Sequence, residues 1–148
     1  MPYLQLDVPR RYPVEVKRPL AGRLGDIYAD VMQTTPNKVA IAFRELETGS
    51  LWRCGAGEPT PTAVIMCDIR RGRPAEQRAR LAEALVAACA EALALPSAAL
   101  LVEFTQHAGD EIFMSGRGLA RDWTPAEAQM CISEGVHLPS STPSNSTS

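Results

Sequence analysis

The sequence has little of what metal and redox sites are made from. Its two histidines, His107 and His137, are far apart, and its four cysteines, Cys54, Cys67, Cys89 and Cys131, are scattered with no C-x-x-C pair. Neither a structural zinc site nor a disulfide framework has the spacing it requires, so no metal is expected and the thiols are read as packing residues or inert groups. A Cys-His nucleophile would need one of those histidines to meet a thiol by chance of folding. There is no Lys/Arg-rich run and the formal net charge is −2, so the electrostatic footprint of a nucleic-acid binder is missing. No apolar run approaches the ~20 residues that span a bilayer, and Met1-Pro2-Tyr3-Leu4 lacks the basic-then-apolar layout of a signal peptide. No nucleic acid, no membrane and a cytoplasmic address are therefore expected. Gly116-Arg117-Gly118 is no phosphate-binding loop either, because it lacks the Lys-Ser/Thr ending and a strand-to-helix junction.

What is present reads as one globular domain over residues 1–137, since 148 residues at 45% hydrophobic and 22% charged suit a single core. Residues 138–148 are nearly all Ser, Thr, Pro and Asn and read as a disordered tail. Leu4, Leu6 and Val8 alternate with polar neighbours, which predicts a strand almost at the start. From Val16 to Met32 the apolar positions Val16, Leu20, Leu24, Ile27, Tyr28 and Val31 recur at helical spacing, with Pro19 expected in the first turn and Thr35-Pro36-Asn37 closing the helix. Val39, Ile41 and Phe43 predict a second strand to about Leu46, and Leu51 to Cys54 a short return strand before the Gly/Pro-rich joint at 55–61. Thr62–Ile69 then reads as a strand, Pro74–Ala94 as a second amphipathic helix carrying Leu81, Leu85, Cys89 and Leu93, and Leu100–Thr105 as a further strand. Residues 109–118 fit a hairpin, and Thr124-Pro125-Ala126-Glu127 has the spacing of a capping box opening a last helix.

Strand, helix, strand thus occurs twice, in units spanning about 2–46 and 62–105, with Pro36 and Pro96 following the two helices 60 positions apart. A duplication is the economical explanation. The expected fold class is α/β (α+β): tandem β-α-β units, each with parallel strands, forming a four-stranded sheet with two helices on one face. The runs Val39–Phe43, Ala63–Cys67 and Leu100–Val102 are apolar at successive positions, so the other face also needs cover. Other copies of the chain in a closed homo-oligomer would supply it, unless the hairpin and last helix fill that face.

Two features carry chemistry. Removal of Met1 would leave Pro2 with a secondary amine at the start of a strand; an α-amino group titrates near 7.7–8.0, and burial or nearby cations lower that value, which makes it a base at neutral pH. Arg70 and Arg73, in the loop between strand and helix, present guanidinium groups suited to a carboxylate, with a helix N-terminus behind them.

Pro2 after Met1, the duplicated β-α-β, the run Ile69-Arg70-Arg71-Gly72-Arg73-Pro74-Ala75-Glu76-Gln77-Arg78, the stretch Pro96 to Thr105 and Phe113-Met114-Ser115-Gly116 resemble the tautomerase superfamily over about residues 2–120. Length and the Arg-x-x-Arg spacing look most similar to its cis-3-chloroacrylic acid dehalogenase group. The resemblance implies a tautomerase/MIF-like fold related to 4-oxalocrotonate tautomerase, a homotrimer, no cofactor, Pro2 as the catalytic amine, and Arg70 and Arg73 as ligands of a small carboxylate substrate. It also shows departures. Tyr28 stands where that group carries a histidine, Glu103 where it carries a tyrosine, and Met114 near its water-activating glutamate; Pro74 replaces the usual Ser/Thr helix cap. The expected activity is a tautomerase (isomerase) moving protons on a 2-oxo or enol carboxylate, with Tyr28 and Glu103 as candidate general acids. Hydration, decarboxylation or dehalogenation of a three-carbon acid in the same pocket is the alternative, and a non-catalytic oligomeric scaffold is another.

Overall fold

A computed structural model describes residues 2–35 and 39–133, with side chains to residue 130. The expected tail at 138–148, the Pro36-Asn37 part of the helix stop, and His137 lie outside the described residues. The main sheet is built from β1 (Tyr3–Val8), β2 (Ala40–Glu45), β5 (Ala63–Arg70) and β6 (Leu100–His107), in the order β2-β1-β5-β6. β1 pairs parallel with β2 and β5 parallel with β6, while β1 and β5 meet antiparallel at the centre. Two β-α-β units thus join back to back, as the duplicated pattern predicts.

The crossovers are α1 (Val14–Met32) and α2 (Ala75–Leu93), which pack on each other and on one sheet face. Their buried stripes follow one four-residue spacing: Leu20, Leu24, Tyr28 and Met32 on α1, and Leu81, Leu85, Cys89 and Leu93 on α2. Side chains four apart lie above one another on a helix, so each stripe faces the sheet along its length. Beneath them, Leu4, Leu6 and Val8 of β1 and Ile65, Cys67 and Ile69 of β5 complete the core. Both helices stop at a left-handed non-glycine residue, Gln33 (φ 53°) and Ala94 (φ 51°), so the backbone turns before either proline is reached. This shared ending is a further trace of the duplication.

Three details differ from the sequence reading. α1 starts at Val14 with Pro13 as its N-cap, so Pro19 is inside the helix and past the first turn. It removes one intrahelical N–H there. The short return strand, β3 (Trp52–Arg53), pairs with β4 (Thr60–Pro61) in a separate hairpin and not with the main sheet. The open sheet face is also more polar than the apolar runs predict. Register with β1 and β5 sends Ile41, Phe43, Val102 and Phe104 toward the helices, leaving Gln5, Asp7, Arg44, Asp68, Glu103 and His107 beside Val64, Met66 and Leu101 on the other side.

Residues 109–133 close one end of this layer. A one-turn 3₁₀ segment (Gly109–Glu111) leads into the hairpin β7 (Phe113–Met114) and β8 (Gly118–Leu119), and then to α3 (Pro125–Ser133). The connecting strap at 120–124 is pinned by its backbone. Ala120 N–H donates to Ile112 O (2.9 Å), Trp123 N–H to Arg71 O (2.9 Å), and Asp122 Oδ1 accepts from Gly109 N–H (2.7 Å). Its approach is close enough to require glycine beneath: a Cβ on Gly72 would lie 2.1 Å from Trp123 O, and one on Gly109 1.9 Å from Arg121 C.

Candidate active site

The strap and α3 wall a cavity of about 530 Å³ at the C-terminal end of β5 and the N-terminal end of β1. Pro2, Tyr28, Arg70 and Arg73 all line it, together with Thr34, Met114 and residues of the hairpin, strap and α3. Four of the five candidate residues named from the sequence are therefore brought together from separate segments. Glu103 is not among them: it is exposed on the open face of β6, opposite Met66.

Pro2 is held by pairing of the sheet. Its carbonyl accepts from Ala40 N–H (3.0 Å), just ahead of the β1–β2 ladder, which fixes the ring at the cavity wall. Having no backbone N–H inside the chain, a proline can occupy this position without wasting a ladder donor.

Arg73 is the most constrained of the group. It is 5% exposed, its Nε and Nη2 donate to Met32 O (3.2 and 3.0 Å), and its guanidinium lies 4.9 Å from the Trp123 ring centroid. It thus caps the last turn of α1, where unpaired carbonyls and the helix dipole favour a cation. Gln77 Nε2 adds a bond to Val31 O (2.8 Å). Burial lowers the Arg73 pKa from its ordinary value, yet a guanidinium remains charged at neutral pH. The Arg70–Arg73 loop owes its shape to Gly72, whose φ of 123° disfavours any side chain, and to Arg71 N–H donating to His107 O (2.7 Å). Pro74 is the N-cap of α2 with no side-chain cap bond.

Arg70 is engaged differently. Nη1 donates to Arg121 O (2.7 Å) and to Glu127 Oε1 (3.1 Å), and Nη2 to Glu127 Oε2 (2.8 Å), a two-pronged guanidinium–carboxylate pair. Glu127 was expected to close a capping box with Thr124; its side chain instead reaches Arg70, while its backbone N–H donates to Thr124 O (3.0 Å). Sequence reasoning missed this residue as part of the site, along with Trp123 and the Arg121 carbonyl. The two glycines under the strap are the only signal that could have drawn attention to it, since close backbone approach is one reason for glycine.

Tyr28 is packed and also faces the cavity. Its ring belongs to the α1 stripe at 0% exposure, but its hydroxyl is buried with no hydrogen-bond partner among the described residues. Burial pushes its pKa up from 10.0 to about 12, with nearby Arg73 opposing the shift. The hydroxyl is therefore protonated through the neutral range and has a proton to donate. A buried tyrosine hydroxyl without a partner is unusual. Cys67 and Cys89 are buried, and burial raises each thiol to about 12, so neither offers a thiolate at neutral pH.

The fold has counterparts of known structure. A member of the cis-3-chloroacrylic acid dehalogenase family, N1, superposes with a TM-score of 0.70 at 22% identity, over 88% of this chain and 99% of that one. Pt0534, solved after inactivation by 2-oxo-3-pentynoate, gives 0.69 at 24% identity over 80% and 94%. Macrophage migration inhibitory factor of Toxoplasma gondii gives 0.67 at 19% identity over 79% and 99%. The chain has the tautomerase-superfamily fold. A fused 4-OT, F6, described as an asymmetric trimer, gives 0.69 at 23% identity over 78% and 94%. No protein-family model and no curated sequence matches the chain. Among the described residues no helix is long and apolar enough to cross a membrane.

Proposed function

We propose that the protein is a Pro2-dependent tautomerase acting on a small 2-oxo or enol carboxylate. One observation carries this reading: Pro2 just ahead of β1, Tyr28 of α1, Arg70 at the end of β5 and Arg73 in the loop after it line one cavity of about 530 Å³. With Met1 removed, the Pro2 nitrogen is a secondary amine beside two guanidinium groups. Neighbouring cations disfavour its protonated form and so keep it available as a base. The substrate carboxylate pairs with the arginines. As the amine takes the proton from the enol oxygen and returns it to carbon, or runs the reverse path, the guanidinium groups stabilise the negative charge that builds on the 2-oxygen. Tyr28 donates a hydrogen bond to that oxygen. Within one chain this donor is Tyr28 and not Glu103, which lies on the open sheet face. The reaction needs no metal or organic cofactor.

Fold and length suit a homotrimer, as in the fused 4-OT described above, with the open sheet faces turned inward and covered by other copies. Met114 in the cavity wall favours proton transfer over hydrolytic dehalogenation, because a thioether cannot activate water. Hydration, decarboxylation or dehalogenation of a three-carbon acid in the same pocket is the second reading, and where it needs an activated water the carboxylates Asp122 and Glu127 in the lining are the groups to supply it.

The test is covalent. An acetylenic 2-oxo acid such as 2-oxo-3-pentynoate adds readily to a neutral amine. Mass spectrometry should find one adduct per chain on the Pro2 nitrogen, with Met1 absent from the untreated protein, and turnover of enol phenylpyruvate should disappear in step. A retained Met1, or labelling with no effect on any turnover, would favour the non-catalytic scaffold. Carbon dioxide release from three-carbon acids without ketonisation would favour the second reading.

A further inference from the structure

Arg70 is not waiting with an open fork. Glu127 of α3 already fills it with both carboxylate oxygens, at 3.1 and 2.8 Å, and the Arg121 carbonyl takes a further hydrogen of Nη1 at 2.7 Å. The pair is partly shielded, with side-chain exposures of 22% for Arg70 and 33% for Glu127, so solvent screens it less than an ordinary surface pair. Glu127 also lines the cavity with Pro2 and Arg73. Arg73 directs Nε and Nη2 at Met32 O, which leaves Nη1 for a ligand. An incoming carboxylate therefore meets one partly committed guanidinium and one whose bidentate position is taken by an acid of the same chemical class as itself.

We propose that Glu127 gates the anion site, as an internal carboxylate that a substrate carboxylate must displace from Arg70, and so sets the affinity an acid needs in order to bind. The inference rests on the tautomerase reading only in taking Arg70 and Arg73 as the anion ligands. Displacement has a geometric consequence, since Glu127 sits in the first turn of α3 and the strap before that helix is pinned at Gly109 and Arg71. Freeing the fork needs a rotation of one side chain or a shift of α3, with the strap staying in place. It also has an energetic one. When the binding-competent state is a fraction of the population, the apparent dissociation constant is the intrinsic one divided by that fraction. Glu127 thereby sets how strongly an acid must bind: ligands that also satisfy Arg73, Tyr28 and Pro2 displace it, and simple carboxylates that offer only an anion do not.

The experiment uses the full chain and 2-oxobutanoate as probe, with propionate as the simple carboxylate, measured by isothermal titration at neutral pH. Glu127→Gln keeps the size of the side chain and removes the charge, and Glu127→Ala removes both. Each variant is expected to bind either acid about three- to tenfold more tightly than the unaltered chain, the range of a partly shielded ion pair. The fold gain should be the same for the two acids, because the fraction of chains with the fork free does not depend on the ligand. In an Arg70→Ala background the same substitutions should give no gain, because the group competed for is gone. Unchanged or weaker binding in both folded Glu127 variants overturns the proposal, as does a gain that persists without Arg70. Arg73-dependent binding that ignores Glu127 would remove this inference and leave the tautomerase reading standing. Failure of both acids to bind any of the proteins would remove both.

Discussion

Arg73, proposed above as an anion ligand, also has a structural part to play. The sequence marked it as an anion ligand, and the fold also gives it the last turn of α1 to hold through Met32 O and an aromatic face at Trp123 to lie against. Arg73→Ala is therefore expected to lower stability by about 2 kcal/mol, as a buried acceptor loses charge-assisted bonds, besides weakening substrate binding. Arg73→Lys should recover little of either, because an ammonium cannot supply the planar fork. Urea unfolding of both variants checks the first part; an unfolding midpoint equal to that of the unaltered chain would deny the capping role. Gly72 offers a sharper case. With φ at 123° and a Cβ that would strike Trp123 O, Gly72→Ala should cost about 2–4 kcal/mol from combined strain and steric conflict, again read by urea unfolding. That Pro2, Arg70 and Arg73 share a cavity was legible through the resemblance, which rests on the proline after Met1 and the Arg-x-x-Arg spacing. Glu127 was not, since its sequence neighbourhood, Thr-x-x-Glu, describes a helix start equally well. Only the path of the strap, fixed by tertiary contacts, sends its carboxylate to a residue 57 positions away.

At the scale of elements, α1 and α2 were readable because each carries an unbroken apolar stripe at helical spacing, and the four main strands because they alternate or stay apolar over their length. The start of α1 was misplaced. Val14 and Glu15 carry no periodic signal, and Pro13 serves as the cap in place of Pro19 as an early helical residue. The fate of β3 was equally hidden, since a two-residue strand states no partner. The N-terminal part of α1 is tied to β2 by Glu45, which accepts from Lys17 Nζ and Tyr12 N–H. The Lys17 bond, and then the Tyr12 bond, hold the Glu45 carboxyl below its ordinary value of 4.5. A carboxyl whose folded value is depressed contributes stability above its unfolded value and loses it as pH falls through the folded one. Stability should therefore drop from about pH 4.5 downward, and Glu45→Gln should flatten that part of the curve. Denaturant midpoints taken between neutral and strongly acidic pH check this; identical slopes in the two proteins would rule out a contribution from Glu45.

For the whole molecule, the sequence carried the architecture through its repetition, and the antiparallel meeting of β1 and β5 follows from joining two parallel units edge to edge. The open face was misjudged in detail because alternation is hard to see in a run such as Val39-Ala40-Ile41-Ala42-Phe43, where the outward residues are alanines. That face still presents Val64, Met66 and Leu101, the last 55% exposed, among charged neighbours. The trimer proposed from the fold would cover it. Sedimentation equilibrium should then give about three times the 16.0 kDa chain mass, and a charge placed at Met66 should lower it; a monomer at micromolar concentration would contradict the assembly.

Catalysis by the Pro2 nitrogen is tested most directly by comparing three forms of the protein in the ketonisation of enol phenylpyruvate: the processed chain, Pro2→Ala, and a form that retains Met1. The processed chain should be faster than Pro2→Ala by about 100-fold or more, the usual worth of a positioned base, and the Met1-retaining form, whose proline nitrogen is an amide, should show no catalysis. Equal rates in all three would contradict the account.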